Sequence, residues 1–178
     1  MKHATLPTRD ITSKVILGAN CQADEGVVLG YPTGRKIIRE ENRIGDHFTL
    51  WSNAVVDYGC QIGHEVKIHA NCYIAQFTTI EDKAFLAPGV IVANDLHPGC
   101  RHSQDCMTGP TIKEGAQIGV NATILPFITI GEYAVIGSGT VVVKDVPPRS
   151  VVVGNPGRVV RSVDDLKCET GLTDYPYR

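Results

Sequence analysis

A spacing of six residues governs this chain. From Ile44 to Ala93 the sequence divides into blocks opening at Ile44, Leu50, Val56, Ile62, Ile68, Ile74, Ile80, Leu86 and Val92, each an aliphatic residue. The second position is mostly small or acidic (Gly45, Asp57, Gly63, Ala75, Glu81, Ala87), and the fifth mostly small or β-branched (Ala54, Val66, Thr78, Ala84, Val90). The pattern resumes at Ile112 and runs through Ile118, Ile124, Ile130, Ile136 and Val142. An amphipathic helix needs apolar residues about every 3.6 positions and a half-buried strand every second one, so neither sustains this pattern. A period of six reads instead as a solenoid whose unit is a short strand and a turn. Three blocks close a triangular coil, and coils stack at about 4.8 Å. Opening aliphatics and small fifth residues point inward, and the second-position Gly or Asp-type residues are expected to make the corners.

These blocks resemble the hexapeptide repeat of left-handed parallel β-helix acyltransferases, over roughly residues 11–161. The resemblance supplies the left hand, since general crossover rules favour the other. It implies an all-β fold, a triangular left-handed parallel β-helix with a protruding loop and a short C-terminal tail. The expected organisation is one domain over 1–161, with excursions at 31–43 and 94–110, and a tail over 162–178 with a short helix near Ser162–Lys167. A polar lead-in, 1–10, precedes a less regular coil opening at Ile11, Leu17, Ala23 and Leu29. The family also implies a homotrimer of prisms side by side, with sites between them.

Composition narrows the function. The hydrophobic fraction is 43% but aromatics make up only 6%, which suits a narrow prism filled by aliphatics. A net charge of −2 with no basic stripe gives no support for nucleic-acid binding. No apolar run is long enough to span a bilayer, and Met1-Lys2-His3-Ala4-Thr5 is no secretory signal, so a cytoplasmic protein is expected. Cys21, Cys60, Cys72, Cys100, Cys106 and Cys168 then read as free thiols, with Cys60 and Cys72 at fifth positions as small core residues.

The 91–102 stretch, which contains His97-Pro98, follows Leu86-Ala87-Pro88-Gly89-Val90 and resembles the His-Pro loop of galactoside and maltose O-acetyltransferases. The resemblance makes His97 the general base that deprotonates the acceptor as it attacks a thioester, a task suited to an imidazole. This loop carries one extra residue before His97, and a surface-loop histidine is the plainer alternative. Two further segments, Val143-Lys144-Asp145-Val146-Pro147-Pro148 and Gly154-Asn155-Pro156-Gly157-Arg158-Val159-Val160-Arg161, resemble the family's coenzyme A segments. They imply acetyl-CoA as co-substrate, held by Ser138, Val143, Lys144, Arg158 and Arg161; Val143 replaces the family's threonine. Fixed cations suit a polyanionic cofactor, and arginine can hold phosphate bidentately. The alternative is ordinary solvated charge on a terminal strand.

Ile68-His69-Ala70-Asn71-Cys72-Tyr73 resembles a stretch of sugar N-acetyltransferases that act on nucleotide-linked amino sugars, which makes Asn71 a substrate-binding candidate. A turn asparagine accounts for it equally well. The implied function is acetyl transfer to a sugar, a nucleotide-linked amino sugar of surface polysaccharide synthesis. Two other readings compete. His64 and His69 share the metal-histidine spacing of γ-class carbonic anhydrases, but Gly30 stands where a third histidine is needed, so a three-ligand zinc site is incomplete. A non-catalytic β-helix binding subunit is the other. A zinc knot of His97, Cys100, His102 and Cys106 would compete with His97 as base; its spacing matches no standard site, and no metal is expected.

Overall fold

Each block folds as one short strand that ends on its opening aliphatic. The computed structural model describes residues 15–30 and 41–177; the lead-in, Ile11 and positions 31–40 of the first excursion lie outside them. The coils are β1 (Val15–Leu17), β2 (Gln22–Ala23) and β3 (Val28–Leu29); β4 (Asn42–Ile44), β5 (Thr49–Leu50) and β6 (Val55–Val56); β7 (Gln61–Ile62), β8 (Lys67–Ile68) and β9 (Tyr73–Ile74). They continue as β10 (Thr79–Ile80), β11 (Phe85–Leu86) and β12 (Ile91–Val92); β13 (Thr111–Ile112), β14 (Gln117–Ile118) and β15 (Thr123–Ile124); β16 (Thr129–Ile130), β17 (Val135–Ile136) and β18 (Val141–Val142). Every strand pairs in parallel with the one a coil away, giving three sheets. Sheet A begins β1-β4-β7, sheet B β2-β5-β8 and sheet C β3-β6-β9.

This register lines up like residues. Ile44, Ile62, Ile80, Ile112 and Ile130 form one column. Leu50, Ile68, Leu86, Ile118 and Ile136 form a second, and Val56, Ile74, Val92, Ile124 and Val142 a third, all buried. Fifth-position Ala54, Val66, Ala84, Val90, Ala116, Ala122 and Ala134 fill the remaining space. Cys60 and Cys72 are buried free thiols of this set, and burial pushes the Cys60 thiol up to about 12.

The corners differ from the expectation. The turning residue is the fourth of the block, not the second: His47, Asn53, Glu65, Asn71, Phe77, Lys83, Asn121, Phe127 and Tyr133 all have φ between 54° and 64°. The cause lies in the stacking. The N–H of each such residue on the A-to-B and B-to-C corners donates to the coil before it, as from Glu65 to the Asp46 carbonyl (2.8 Å) and from Lys83 to that of His64 (2.8 Å). A left-handed residue costs roughly 1–2 kcal/mol, and the ladder holds it there. Second-position glycines instead permit close stacking. A Cβ on Gly63 would lie 2.7 Å from the Asp82 nitrogen, and one on Gly119 2.6 Å from that of Ser138.

Both excursions leave the same corner, where sheet C turns into sheet A, one between β3 and β4 and the other between β12 and β13. At the far end Val146 makes a last bridge to Ile130. β19 (Ser150–Val153) then extends sheet B, and β20 (Arg158–Ser162) folds back on it antiparallel. The tail helix appears as one 3-10 turn, Val163–Asp165, capped by Ser162 and tied down by the Arg149–Asp164 ion pair. Among the described residues no helix is long and apolar enough to cross a membrane.

The columns carry the stability. Ile124→Ala, fully buried within the sheet C column, is expected to cost about 2–5 kcal/mol in a denaturant titration.

Candidate active site

His97 is displayed by a loop whose two ends are locked together. Asn94 is buried, and its side-chain amide donates to Gln76 Oε1 (2.7 Å), itself buried one coil earlier. The Asn94 carbonyl receives the Thr108 N–H (2.9 Å) as the chain returns. Gly109 then passes over the backbone of Thr78, where an added Cβ would meet the Thr78 nitrogen at 2.5 Å. Between these anchors the chain makes a compact excursion with a short helix, α1 (Ser103–Cys106).

Within the loop, Asp95 organises the segment that carries His97. Its Oδ1 accepts the His97 N–H (2.8 Å), and its Oδ2 accepts the Ser103 hydroxyl (2.5 Å). The Ser103 hydroxyl, followed by the His97 N–H, holds the Asp95 carboxyl below its ordinary range. The His97 carbonyl receives the Cys100 N–H (3.0 Å), closing a turn that leaves the His97 side chain exposed.

The coenzyme candidates gather at the C-terminal end. Val143 and Lys144 follow β18 at the same corner of the prism as the His97 loop, and Asp145 caps the Thr129 N–H (2.8 Å). Ala93, Leu125 and Val143 hold equivalent positions in three successive coils, so Val143 stands two coils, roughly 10 Å, from the root of the His97 loop. The turn between β19 and β20 folds over the last coil: Val141 N donates to the Gly154 carbonyl (3.0 Å) and Gly157 N to that of Val141 (2.8 Å). This brings Arg158 beside β18, near the corner that carries exposed Ser138. Arg161 lies further along β20, opposite Val151, and is exposed.

Asn71 lies elsewhere. It is the left-handed residue of the corner where sheet B turns into sheet C, its N–H donating to the Ser52 carbonyl (3.1 Å). Within one chain it is at the opposite end of sheet C from the His97 loop. Metal chemistry finds no geometry: among the described residues no group of three His, Cys, Asp or Glu side chains converges. His64 Nδ1 receives the Asp46 N–H (3.0 Å), whereas His69 stacks on Trp51 with ring centroids 4.0 Å apart. A groove of about 390 Å³ on sheet A, lined by Arg43, Glu81, Asp82 and Glu114 among others, includes none of the candidate residues.

Sequence reasoning missed Gln76, Asn94 and Asp95. For the first two a signal existed, since they hold the same position in consecutive coils, 18 residues apart.

Fold and site together define a class: a repeat-built β-helix bearing a histidine loop on one corner, with Lys144, Arg158 and Arg161 toward its C-terminal end. The family model of the bacterial transferase hexapeptide (six repeats) matches residues 109–144, and that of the hexapeptide repeat of succinyl-transferase matches 41–76. Galactoside O-acetyltransferase of Escherichia coli strain K12 is 32% identical over 155 residues, covering 79% of this chain and 76% of that protein. Solved structures share the fold. A mutant of AntD, an N-acyltransferase from Bacillus cereus in complex with dTDP and coenzyme A, superposes with TM-score 0.67 at 17% identity, covering 85% of each chain. The acetyltransferase domain of PglB from Neisseria gonorrhoeae FA1090, in complex with acetyl coenzyme A, gives 0.64 at 19% over 79% of this chain and 58% of that one. The helix is left-handed, and the chain belongs to the hexapeptide-repeat acetyltransferase family.

The loop anchor is testable. Gly109→Val collides with backbone that cannot move aside, so limited trypsinolysis at Arg101 is expected to accelerate, while the rate of cleavage in the β20 hairpin stays as in the wild type.

Proposed function

We propose that this protein transfers the acetyl group of acetyl-CoA to a sugar, with His97 as general base and the C-terminal end as coenzyme site. The observation that carries the reading is the shared corner: the root of the His97 loop and Val143-Lys144 lie in line on it, two coils apart. Between them the outer face of sheet C is largely apolar, with Ile91, Thr123 and Val141 on the strands and Ala93, Leu125 and Val143 beside them. An extended, mostly uncharged pantetheine arm suits such a strip, with Lys144 and Arg158 at its phosphate end and the thioester at the loop. The same face, with Ile91 40% exposed, suits burial against a second copy, and a homotrimer with the site between prisms follows.

In the reaction the acceptor oxygen or nitrogen attacks the thioester carbonyl while His97 takes the proton it sheds. The tetrahedral intermediate collapses and expels coenzyme A as thiolate, which takes up a proton in turn. Main-chain N–H groups aimed at the developing oxyanion would stabilise it. Holding both reactants in one cleft supplies orientation.

The galactoside O-acetyltransferase relative supports a sugar acceptor. A nucleotide-linked amino sugar is the finer reading; it rests on the Ile68–Tyr73 stretch and needs the exposed Asn71 of one prism to face the loop of the next. A cytoplasmic location fits that substrate. Thiol release from acetyl-CoA, followed across a panel of free sugars and nucleotide-linked amino sugars, tests the assignment. His97→Ala is expected to lower kcat on the order of 10²–10⁴-fold for a hydroxyl acceptor and less for an amine. Unchanged turnover on every accepted sugar would remove His97 from the chemistry.

A further inference from the structure

The loop that carries His97 has no regular pairing to hold it; α1 is one turn long and contains no buried residue. Beyond its anchored ends and its backbone turns, one carboxylate ties the segment that carries His97 to α1. Asp95 reaches forward along its own loop in two directions, to the backbone N–H of His97 and to the hydroxyl of Ser103, the first residue of α1. The two bonds span the segment between His97 and α1, so that segment behaves as one clamped turn. Behind Asp95, the buried Asn94–Gln76 amide pair fixes the clamp to the prism wall. The chain of contacts therefore runs from the packed coil, through Asn94 and Asp95, to the backbone atom next to the His97 side chain. A hydrogen bond to a charged acceptor is stronger than a neutral one, and both bonds here end on a carboxylate.

We propose that Asp95 is a positioning residue for this reaction: by accepting the His97 N–H and the Ser103 hydroxyl together, it sets the place from which the His97 imidazole reaches the acceptor. The proposal rests on the reading of His97 as base. In this role Asp95 neither takes a proton nor needs to touch a reactant. Its contribution is geometric, and a general base displaced by about 1 Å can lose on the order of 10²-fold in rate.

The geometry singles out which substitutions matter. Asn at position 95 keeps an acceptor oxygen for the His97 N–H and offers an N–H to the Ser103 oxygen, so it preserves the clamp without the charge. Ala removes both arms. Ser103→Ala removes one.

The test uses the full chain with two readouts, steady-state kinetics and hydrogen exchange at the His97 amide. Asp95→Ala is expected to lower kcat by about 10–10²-fold, leave KM for acetyl-CoA within about twofold, and leave the unfolding midpoint within about 2 °C. Ser103→Ala should fall between Asp95→Ala and wild type, and Asp95→Asn should recover most of the rate. In a His97→Ala background, Asp95→Ala should cost nothing further, because the group it positions is gone. Exchange at the His97 amide should accelerate in Asp95→Ala and stay slow in Asp95→Asn. The proposal is overturned if Asp95→Ala costs the same factor with and without His97, if Asn rescues no better than Ala, or if the His97 amide stays protected in Asp95→Ala. A His97→Ala enzyme with full turnover would instead sink the base assignment itself, whatever the exchange data show of the clamp.

Discussion

Everything in this protein hangs from the stacking of one coil on the next. Two-residue strands make too few hydrogen bonds to persist alone, and each coil leaves an apolar interior open at both ends. Stacking resolves both problems. The column aliphatics close the interior, and the parallel ladder supplies partners for the backbone. It also places the unusual corners: where sheet A turns into B and B into C, the left-handed residue donates its N–H to the coil before, so a conformation unfavourable in isolation becomes a requirement of the lattice. Tolerance for different side chains at those corners follows, since His47, Glu65, Lys83 and Tyr133 share nothing but the turn they make.

A rigid, repetitive scaffold cannot by itself hold chemistry, because every coil is nearly the same. The candidate site lies where the repeat is broken. One corner carries both excursions, and it gathers most of the buried polar residues among those described: Asn42, Asp57, Gln76, Thr78 and Asn94. Buried polar groups cost free energy unless partnered, and all five make hydrogen bonds within this corner, although the Asn42 amide nitrogen has no partner among the described residues. Cys60 N donates to Asn42 Oδ1 (2.7 Å), Tyr73 Oη to Asp57 Oδ2 (3.1 Å) and Asn94 to Gln76. The scaffold thereby sets loop position, and the loop sets side-chain position.

The periodic part of this arrangement was legible from residue types alone. An aliphatic every sixth position can satisfy only one kind of burial, and Ile62, Ile80 and Ile112 stack as the spacing requires, even across the interruption. The turning residue was not legible, since the coil imposes the left-handed conformation on Phe77 and Tyr133 as readily as on Asn53. The loop was only partly so. The His97-Pro98 pair stood out by its resemblance, whereas Asp95 has no periodic position and reveals its role only through the bonds it makes. Val143 and Lys144 could be placed at the loop's corner by counting in sixes, but the fold of the β19–β20 turn over β18, which brings Arg158 to the same end, could not. Asn71 shows the reverse: its turn conformation explains the residue without any ligand, and only a neighbouring prism could give it more.

The central claim is that the C-terminal end of the prism is a coenzyme site serving the His97 loop. Thermal unfolding with and without acetyl-CoA, on the wild type and on the Lys144→Ala/Arg158→Ala double variant, tests it most directly. Ligand at a hundred times its dissociation constant stabilises the folded state by about 2.7 kcal/mol. A clear rise in the unfolding midpoint of the wild type, lost in the double variant, is the predicted result. An equal rise in both would place the coenzyme elsewhere on the prism, and no rise in either would contradict acetyl transfer from coenzyme A altogether.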